Sequence, residues 1–344
     1  MKKFGLAAGL VAALTLPGLS GAQDIPHNLR LVIGSKSTGG DTYQSSEIVA
    51  RALSKELGIN VKVDAVGVKR AFDALSRDSR GTTMMIFHDQ AYLGYLYGVA
   101  GYSNIFKDYK IGPTVAINPG NAYLVPKDSP YKTPADIIDA AIKGKRIRVA
   151  IQPGGVSEIG FSALKNAARI KHPGAEKNIV PIRTGSQADK NELLFQRGAD
   201  VINGSVQANE QFTHLPASDP KAMRFVWLTA RHKTIEQANK KGYGSTNRQA
   251  LLKYVTPNVS VTMDGKQDFT FDKEFFFIYN KNMDASLVKA MDKALGDIFA
   301  KGDIEKVQKA AFFIPDFKPS SEARRYLKSK SDEYRKVIDA ISGK

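Results

Sequence analysis

The apolar and polar positions of this chain predict strands that are each followed by a helix. An apolar run at 31–33 leads into a polar, glycine-containing loop at 34–41, and apolar positions then recur three and four apart over 48–57. The run predicts a buried strand and the spacing predicts one helix face, which Asp41 or Thr42 is suited to cap. A strand, loop and helix start bring backbone N–H groups and the positive end of a helix dipole together. This stretch predicts a carboxylate or phosphate site; a tight turn without ligand is the alternative.

The same plan recurs along the chain. Apolar runs predict further strands at 59–63, 82–88, 122–126, 147–151, 179–183, 201–205, 223–229 and 274–279. Strands that alternate with helices form parallel sheets, and ligands collect at the carboxyl ends of such strands. A second glycine loop at 152–157 precedes a helix, as the first does. Thr133 as N-cap and Pro134 at the first helical position predict another helix start. The fold class expected is α/β.

Two α/β units account for this organisation. The segment from Asn118 to Asn121 breaks the pattern, and three strand ends with polar or glycine loops follow it. We expect one lobe formed by residues 23–120 plus 225–344 and a second lobe formed by residues 121–224. A hairpin with an Asp-Gly turn at 264–265 is also predicted. Its alternating apolar positions are Val259, Val261 and Met263 before the turn and Phe269 and Phe271 after it. Helices are expected at 284–300, 303–311 and 321–342.

The first residues have the features of a secretory signal peptide. Lys2 and Lys3 precede a mostly apolar run over 4–16, and Ser20 and Ala22 supply small residues before a cleavage site. The run is shorter than the ~20 residues that span a bilayer. Removal of residues 1–22 leaves 344 − 22 = 322 residues, which suits two domains. We expect a soluble periplasmic protein; an uncleaved membrane anchor is the alternative.

The net positive charge and its distribution bear on whether the partner is a nucleic acid or a small anion. The formal charge is +16, and removal of Lys2 and Lys3 with the signal peptide leaves 16 − 2 = +14. The basic residues are spread along the chain and mixed with acids, without a basic block interleaved with aromatics, so nucleic acid is not expected. A positive field raises the association rate of small anions. The chain has no cysteine, so a hydrophobic core rather than disulfides must stabilise it.

The residues that enzymes and metal sites need are not arranged in a familiar pattern. The loop at 34–41 has P-loop glycine spacing, but Gly40 stands where the phosphate-binding lysine is required. No G-x-S-x-G sequence surrounds a serine near the glycine loops. The histidines lack metal-ligand spacing; they are His27, His88, His172, His214 and His232. The aromatic residues Tyr92, Tyr95 and Tyr97 have the spacing of helix packing. We expect no catalysis, no metal and no cofactor.

Several short motifs resemble one known family. The motifs are Gly39-Gly40-Asp41, the run from Val125 to Asp136, Gly154 to Ser157, Val180-Pro181, Gly198-Ala199-Asp200 and Leu228 to Arg231. In order and spacing they resemble the Bug-type periplasmic substrate-binding proteins of the tripartite tricarboxylate transporter system. The resemblance implies a two-lobed periplasmic binding protein of type II, the Venus-flytrap fold, with a mixed, mostly parallel sheet in each lobe. It implies a monomer that binds a small organic carboxylate and delivers it to membrane transporter subunits.

The resemblance also implies where the ligand binds. The first loop contributes Ser37, Thr38, Gly39, Gly40, Asp41 and Thr42, and the second loop contributes Gly154, Gly155, Val156 and Ser157. Further candidates lie at strand ends on the same edges, and they are Phe87, His88, Arg183, Ser186, Gln187 and Asn203. Arg183 is predicted to be the main charged contact, because a guanidinium can bind a carboxylate with two parallel bonds. A surface arginine, or one paired with Asp189, is the alternative.

Because of three departures from the family pattern, the sequence does not identify the ligand. Ile182-Arg183-Thr184 replaces the usual Tyr-Lys-Gly, Asn203 stands where the family has an acid, and residues 239–272 form an insertion. The acid could be a tricarboxylate, a dicarboxylate, an aromatic acid or an amino acid. The alternative function is an exported sensory or interaction protein of the same fold that signals to a membrane partner. A hydrolase with an unusual site is a third, weaker hypothesis.

Overall fold

The computed structural model describes residues 25–255, 261, 262 and 264–342. The predicted signal peptide over 1–22 lies outside these residues, as do Val259 and Met263 of the predicted hairpin. Inside them, an antiparallel bridge joins Thr262 to Asp268 across the Asp-Gly turn, which agrees with that prediction. None of the described helices has the length and apolar character needed to cross a membrane.

The strands follow the apolar runs closely. In chain order they are β1 (Asn28–Ile33), β2 (Asn60–Ala65), β3 (Thr83–His88), β4 (Tyr109–Asn118), β5 (Ala122–Pro126), β6 (Ile147–Ile151), β7 (Ile179–Arg183), β8 (Val201–Gly204), β9 (Met223–Leu228), β10 (Lys273–Asn280) and β11 (Ile314–Lys318). All residues of β3 and of β10 are buried, and each strand contains an apolar run, 84–87 in β3 and 275–279 in β10.

The helices fill most of the connections between strands. They are α1 (Asp41–Leu57), α2 (Val68–Arg77), α3 (Gln90–Leu96), α4 (Ile105–Asp108), α5 (Pro134–Ile142), α6 (Val156–Lys171), α7 (Gln187–Phe195), α8 (Val206–Thr213), α9 (His232–Gln237), α10 (Arg248–Leu252), α11 (Ala285–Lys301), α12 (Asp303–Ala310) and α13 (Ser320–Ser342). A 3-10 turn, Ala175–Asn178, precedes β7.

The strands form two mixed sheets. The first has the order β11-β4-β10-β3-β1-β2 and the second has the order β7-β6-β8-β5-β9. In the first sheet β1 pairs in parallel with β2 and β3, and in the second β6 pairs in parallel with β7 and β8. The remaining neighbours are antiparallel. The prediction of two mixed α/β units is confirmed, with a larger antiparallel share than the alternation of strands and helices indicated.

The chain crosses between the sheets at points that are bonded to each other. Asn121 N donates to Thr229 Oγ1 at 2.8 Å, and that hydroxyl donates to the Phe271 carbonyl at 2.9 Å. Gly120 has a φ of 75°, and a Cβ there would lie 2.6 Å from Ala230 N, so only glycine fits this crossing. The predicted lobe boundary at 224/225 falls inside β9, which belongs wholly to the second sheet.

Two strands and four short helices were not predicted. β4 contains Gly112 and Pro113, which break the strand pattern, and β11 is short and contains Pro315. The helices α4, α8, α9 and α10 have only four to eight residues each, too few for a clear helical period.

One of the two predicted helix caps is confirmed. Thr133 caps α5 in a capping box with Asp136, and Pro134 is its first residue. The prediction that Asp41 or Thr42 caps α1 is wrong. The N-cap is Gly40, without a side-chain bond, because the Asp41 carboxylate is bound by residues from distant strands.

Candidate functional site

The loop-bearing edges of the two sheets face each other. On the first sheet, the carboxyl ends of β1 and β3 lie beside the start of β10, where Lys273 pairs with Asn118 of β4. On the second sheet, the carboxyl ends of β6, β7 and β8 lie beside the start of β5. Lys190 of α7 lies near enough to Lys273 and Asp41 for their charges to affect its pKa, so polar groups of the two edges are neighbours across the space between them.

Asp41 anchors the first edge internally. Its carboxylate accepts hydrogen bonds from Lys273 Nζ and from Asn118 Nδ2, both at 2.7 Å. Burial acts to raise the pKa of Asp41, but the Lys273 charge and these two bonds outweigh it and hold the pKa below its usual value. Asp41 is therefore an ionised partner of Lys273, and it joins the first loop to β4 and β10.

The first glycine loop is exposed and partly organised by its own serines. Ser37, Thr38 and Gly39 are exposed, and Gly39 N donates to Ser37 Oγ at 3.2 Å. Gly34 packs directly on the Phe87 ring, so Phe87 lies beneath the loop as support. Thr42 is buried, and its hydroxyl donates to Asp41 Oδ1 at 3.4 Å.

His88 is buried at the end of β3. Its Nδ1 accepts a hydrogen bond from Gln90 N at 3.2 Å, and its ring lies against those of Phe87 and Phe275. Burial, followed by the charges of Lys273 and Lys330, holds the pKa of His88 well below its ordinary value. The imidazole is therefore neutral and contributes no positive charge to this edge.

The second glycine loop is largely occupied by its own side chains. Gly154 N donates to Glu158 Oε2 at 2.5 Å, and the Ser157 hydroxyl bonds both the N–H and the carbonyl of Gln152. Gly155 is the N-cap of α6 and Val156 its first residue. Burial raises the pKa of Glu158, against the opposing effects of Gly154 and the Arg183 charge. An internal carboxylate already uses one of the amides predicted for the ligand.

The start of α7 places a buried lysine at the second edge. Ser186 caps this helix by accepting from Asp189 N at 3.1 Å, and Gln187 Nε2 donates to Asn191 at 2.8 Å. Lys190 is only 3% exposed, and its Nζ donates to Asn203 Oδ1 at 3.0 Å. Asn203 Nδ2 is buried and has no hydrogen-bond partner among the described residues.

Sequence reasoning missed Lys190. Burial, followed by the charge of Lys273, lowers its pKa to about 7, and Asp41 acts in the opposite direction. The available signal was its position four residues before Leu194, the other buried residue of α7. That spacing places a lysine on the apolar face of a helix.

Arg183 lies in a different environment from Lys190. It is exposed at the carboxyl end of β7, an edge strand of the second sheet, and its charge acts on Glu158. Asp189, the predicted alternative partner, accepts from Gly185 N at 3.1 Å, and the described residues show no ion pair between it and Arg183.

The two edges together form a site in which donors exceed acceptors. Of the predicted residues, Asp41 and Asn203 belong to the facing groups, and Lys190, Lys273 and Asn118 join them unpredicted. The amines of Lys273 and Lys190 face one carboxylate, and the side-chain amides of Asn203 and Asn121 have buried donors without a partner among the described residues. Within the described ranges, no group of three or more metal-binding side chains is found. This chemistry favours an anion with several acceptor oxygens.

The fold is similar to that of two-lobed periplasmic binding proteins in solved structures. A protein from R. palustris solved with adipate aligns with a TM-score of 0.68 and 14% identity, over 93% of this chain and 99% of that one. MatC from Rhodopseudomonas palustris, solved with malate, aligns with a TM-score of 0.65 and 12% identity, over 91% and 99%. The periplasmic binding protein BugD aligns with a TM-score of 0.62 and 14% identity, over 92% and 97%.

A TctC solute-binding protein from Polaromonas also aligns, with a TM-score of 0.59 and 14% identity over 91% of this chain and 98% of that one. The resemblance to Bug-type receptors predicted from the sequence is thus confirmed at the level of the fold. No protein-family model and no curated protein matches the chain.

Proposed function

We propose that this chain is an extracytoplasmic solute receptor that binds a small organic carboxylate between its lobes and delivers it to a membrane transporter. One observation carries the proposal. Lys190 is buried on the second edge without an acid partner of its own among the described residues, and the charges that act on it from the first edge are those of the Lys273–Asp41 pair. A buried cation without an acid partner is costly, so an anionic ligand that neutralises it gains binding energy from the site itself.

Two of the fold neighbours support the ligand class. One was solved with adipate and the other with malate, and both acids are small dicarboxylates. Periplasmic binding proteins among the neighbours, together with the apolar N-terminal segment after Lys2 and Lys3, support export to the periplasm. The neighbours are binding proteins of transport systems, which supports a receptor rather than an enzyme.

The number of donors is sufficient for useful affinity. A hydrogen bond to a charged group contributes about 1.5–3 kcal/mol net. Three or four such bonds approach the roughly 8 kcal/mol of micromolar binding after the costs of ordering the ligand are met. In this proposal the first-loop amides, Lys273, Lys190 and Asn203 bind the acid from opposite sides. The outer loop residues Ser37, Thr38 and Arg183 border the same space.

Ligand capture would couple to movement of the lobes. The crossings near Gly120 and Thr229 are short and bonded to each other, as a hinge requires. On one side the lobes already touch, where Tyr97 OH and Ser162 Oγ are 2.9 Å apart. Small-angle scattering is expected to give a monomer whose radius of gyration falls when the acid binds. An unchanged radius in a protein that is open without ligand would contradict the hinge.

A thermal-shift screen tests the proposed function. The acids are malate, adipate, citrate, benzoate and glutamate, and adipamide serves as an uncharged control for adipate. We expect a concentration-dependent rise in melting temperature with at least one acid and none with adipamide, because only the carboxylate can neutralise the buried charge. Proton NMR of the incubated acid checks for turnover. No shift with any acid, or chemical conversion of the acid, would contradict a carboxylate receptor.

A further inference from the structure

We propose that Lys190 and Asn203 form the carboxylate anchor of the second lobe, and that binding of an acid there takes up a proton from solvent. The inference rests on the proposed function and names the residue pair that would recognise the acid. It assigns the main charged contact to α7 in place of Arg183.

The geometry leaves two neighbouring donor groups only partly bonded. Lys190 Nζ uses one of its three N–H groups on Asn203 Oδ1, at 3.0 Å, and no described carboxylate pairs with it. Asn203 is 1% exposed, and its Nδ2 makes no hydrogen bond of good geometry with the described residues, since the nearby Tyr123 hydroxyl donates to the Ser157 carbonyl. Buried donors are nearly always bonded, so this pair is incomplete as it stands. The two oxygens of one carboxylate can accept from Nζ and from Nδ2 together.

A second unpartnered amide lies at the same edge. Asn121 directly precedes β5, and Ala122 of β5 pairs with Gly204, the residue after Asn203. Asn121 Nδ2 is buried and is likewise without a partner among the described residues. The donors therefore cluster where the carboxyl end of β8 meets the interlobe space, which is where sheets of this kind bind ligands.

The titratable groups around Lys190 are neutral or already engaged. On the elements packed against it and on the facing lobe they are Tyr123 of β5, Arg148 of β6 paired with Asp200, Asp189 and Glu192 of α7, and the Lys273–Asp41 pair. Burial raises the pKa of Tyr123 well above its ordinary value, so this phenol stays neutral. The one facing carboxylate, Asp41, is shared with Lys273. A ligand carboxylate would therefore form an ion pair with Lys190 that is not shared with another described cation.

Proton uptake follows from this arrangement. Burial and then the Lys273 charge lower the pKa of Lys190 to about 7, so much of it is neutral at pH 8 before binding. A carboxylate in contact favours the ammonium form and raises that pKa again. Binding at pH 8 should then take up about 0.9 proton per acid bound.

Acetate tests the anchor without knowledge of the natural ligand. Lysines of the purified protein carry 13C at Cε, and the Lys190 signal is assigned by its absence in Lys190→Met. We expect a titration midpoint near 7 in sodium chloride and a higher midpoint in sodium acetate of equal ionic strength. A signal that titrates with the surface lysines, or a midpoint that is the same in both salts, would overturn the proposal.

Calorimetry with the tightest-binding acid of the thermal-shift screen gives the second test. In buffers of different ionisation enthalpy at pH 8, the wild type should take up about 0.9 proton. Lys190→Met should bind about 30-fold more weakly or worse, without proton uptake. Lys190→Arg keeps a permanent charge, so it should bind the acid without proton uptake. This variant provides the test if Lys190→Met does not fold. Wild-type affinity in Lys190→Met, or unchanged proton uptake in either variant, would refute the anchor.

Lys165→Met is the matched control. Lys165 lies on α6 of the same lobe, and burial lowers its pKa too, but its Nζ lies 5.7 Å from the centre of the Phe161 ring. Removal of this charge should leave affinity and proton uptake unchanged. If no acid of the screen binds, the proposed function fails, and the acetate titration still decides the role of Lys190.

Discussion

Replacement of Lys330 by methionine should destabilise the protein strongly, because this lysine is the only cation in contact with two fully buried acids among the described residues. Lys330 Nζ lies 2.6 Å from Asp89 Oδ1 and also contacts Glu274, and both acids are 0% exposed. It donates in addition to the Asp272 carbonyl. These bonds join α13 to the end of β3 and the start of β10, next to the interlobe edge.

The magnitude follows from what the substitution leaves behind. The remaining bonds to the two acids, from Glu274 N to Asp89 at 2.8 Å and from the hydroxyls of Tyr92 and Tyr326, are bonds from uncharged donors. Removal of one partner of a buried ion pair costs about 3–5 kcal/mol, since the opposite charge stays buried and uncompensated. That is a large part of the roughly 5–15 kcal/mol that stabilises a folded domain.

Lys328→Met is the control on the same helix. Lys328 pairs with Asp332, four residues on, and both side chains are 51% exposed. Its loss should cost no more than about 0.5 kcal/mol. Urea denaturation at pH 7 measures both variants. Equal stability of the two variants would refute the idea that this buried cluster holds α13 in place.

Three further predictions follow from the site and the hinge. Folding lowers the pKa of Lys190 from 10.5 to about 7. The free-energy cost of burying its charged amine is therefore largest below pH 7 and decreases as the pH rises towards 10.5. Lys190→Met should therefore be more stable than wild type at pH 6, by up to roughly 5 kcal/mol, with the advantage lost towards pH 10 in urea melts; a pH-independent difference would contradict the low pKa. Arg183→Ala should weaken acid binding less than Lys190→Met in calorimetry, and the reverse order would return the main contact to Arg183. Gly120→Ala should destabilise by about 1–3 kcal/mol or more in thermal melts, because φ is 75° and the added Cβ meets backbone; wild-type stability would show that the crossing can relax.

Much of the fold could be predicted because buried strands appear in the sequence as runs of apolar residues. β3 and β10 are buried throughout, and each has an apolar run at its centre that is visible in the sequence. Thr133 could be identified as a cap because Pro134, a residue typical of the first helical position, directly follows it. β4 could not be found in this way, since Gly112 and Pro113 interrupt it and its place in the sheet depends on β10, more than 150 residues later.

The site was harder to predict because its partners are distant in sequence. Asp41 has the sequence context of a helix cap, but Lys273, 232 residues away, binds its carboxylate instead. Lysine is ordinarily a surface residue, so the spacing of four residues from Leu194 is only a weak local signal for the burial of Lys190. The helix α7 packs on β8, β5 and β6 of its own lobe, and these contacts are not visible in the local sequence. The two glycine loops were visible in the sequence, but the use of Gly154 by Glu158 required the structure.

A crystal structure of the protein with the tightest-binding acid of the screen would show directly whether Lys190 and Asn203 bind the ligand. We expect the acid between the two sheet edges, with one carboxylate oxygen about 2.7–2.9 Å from Lys190 Nζ and another accepting from Asn203 Nδ2. An acid bound outside the interlobe space, or one inside it whose carboxylates contact neither residue, would refute both the proposed receptor site and its anchor.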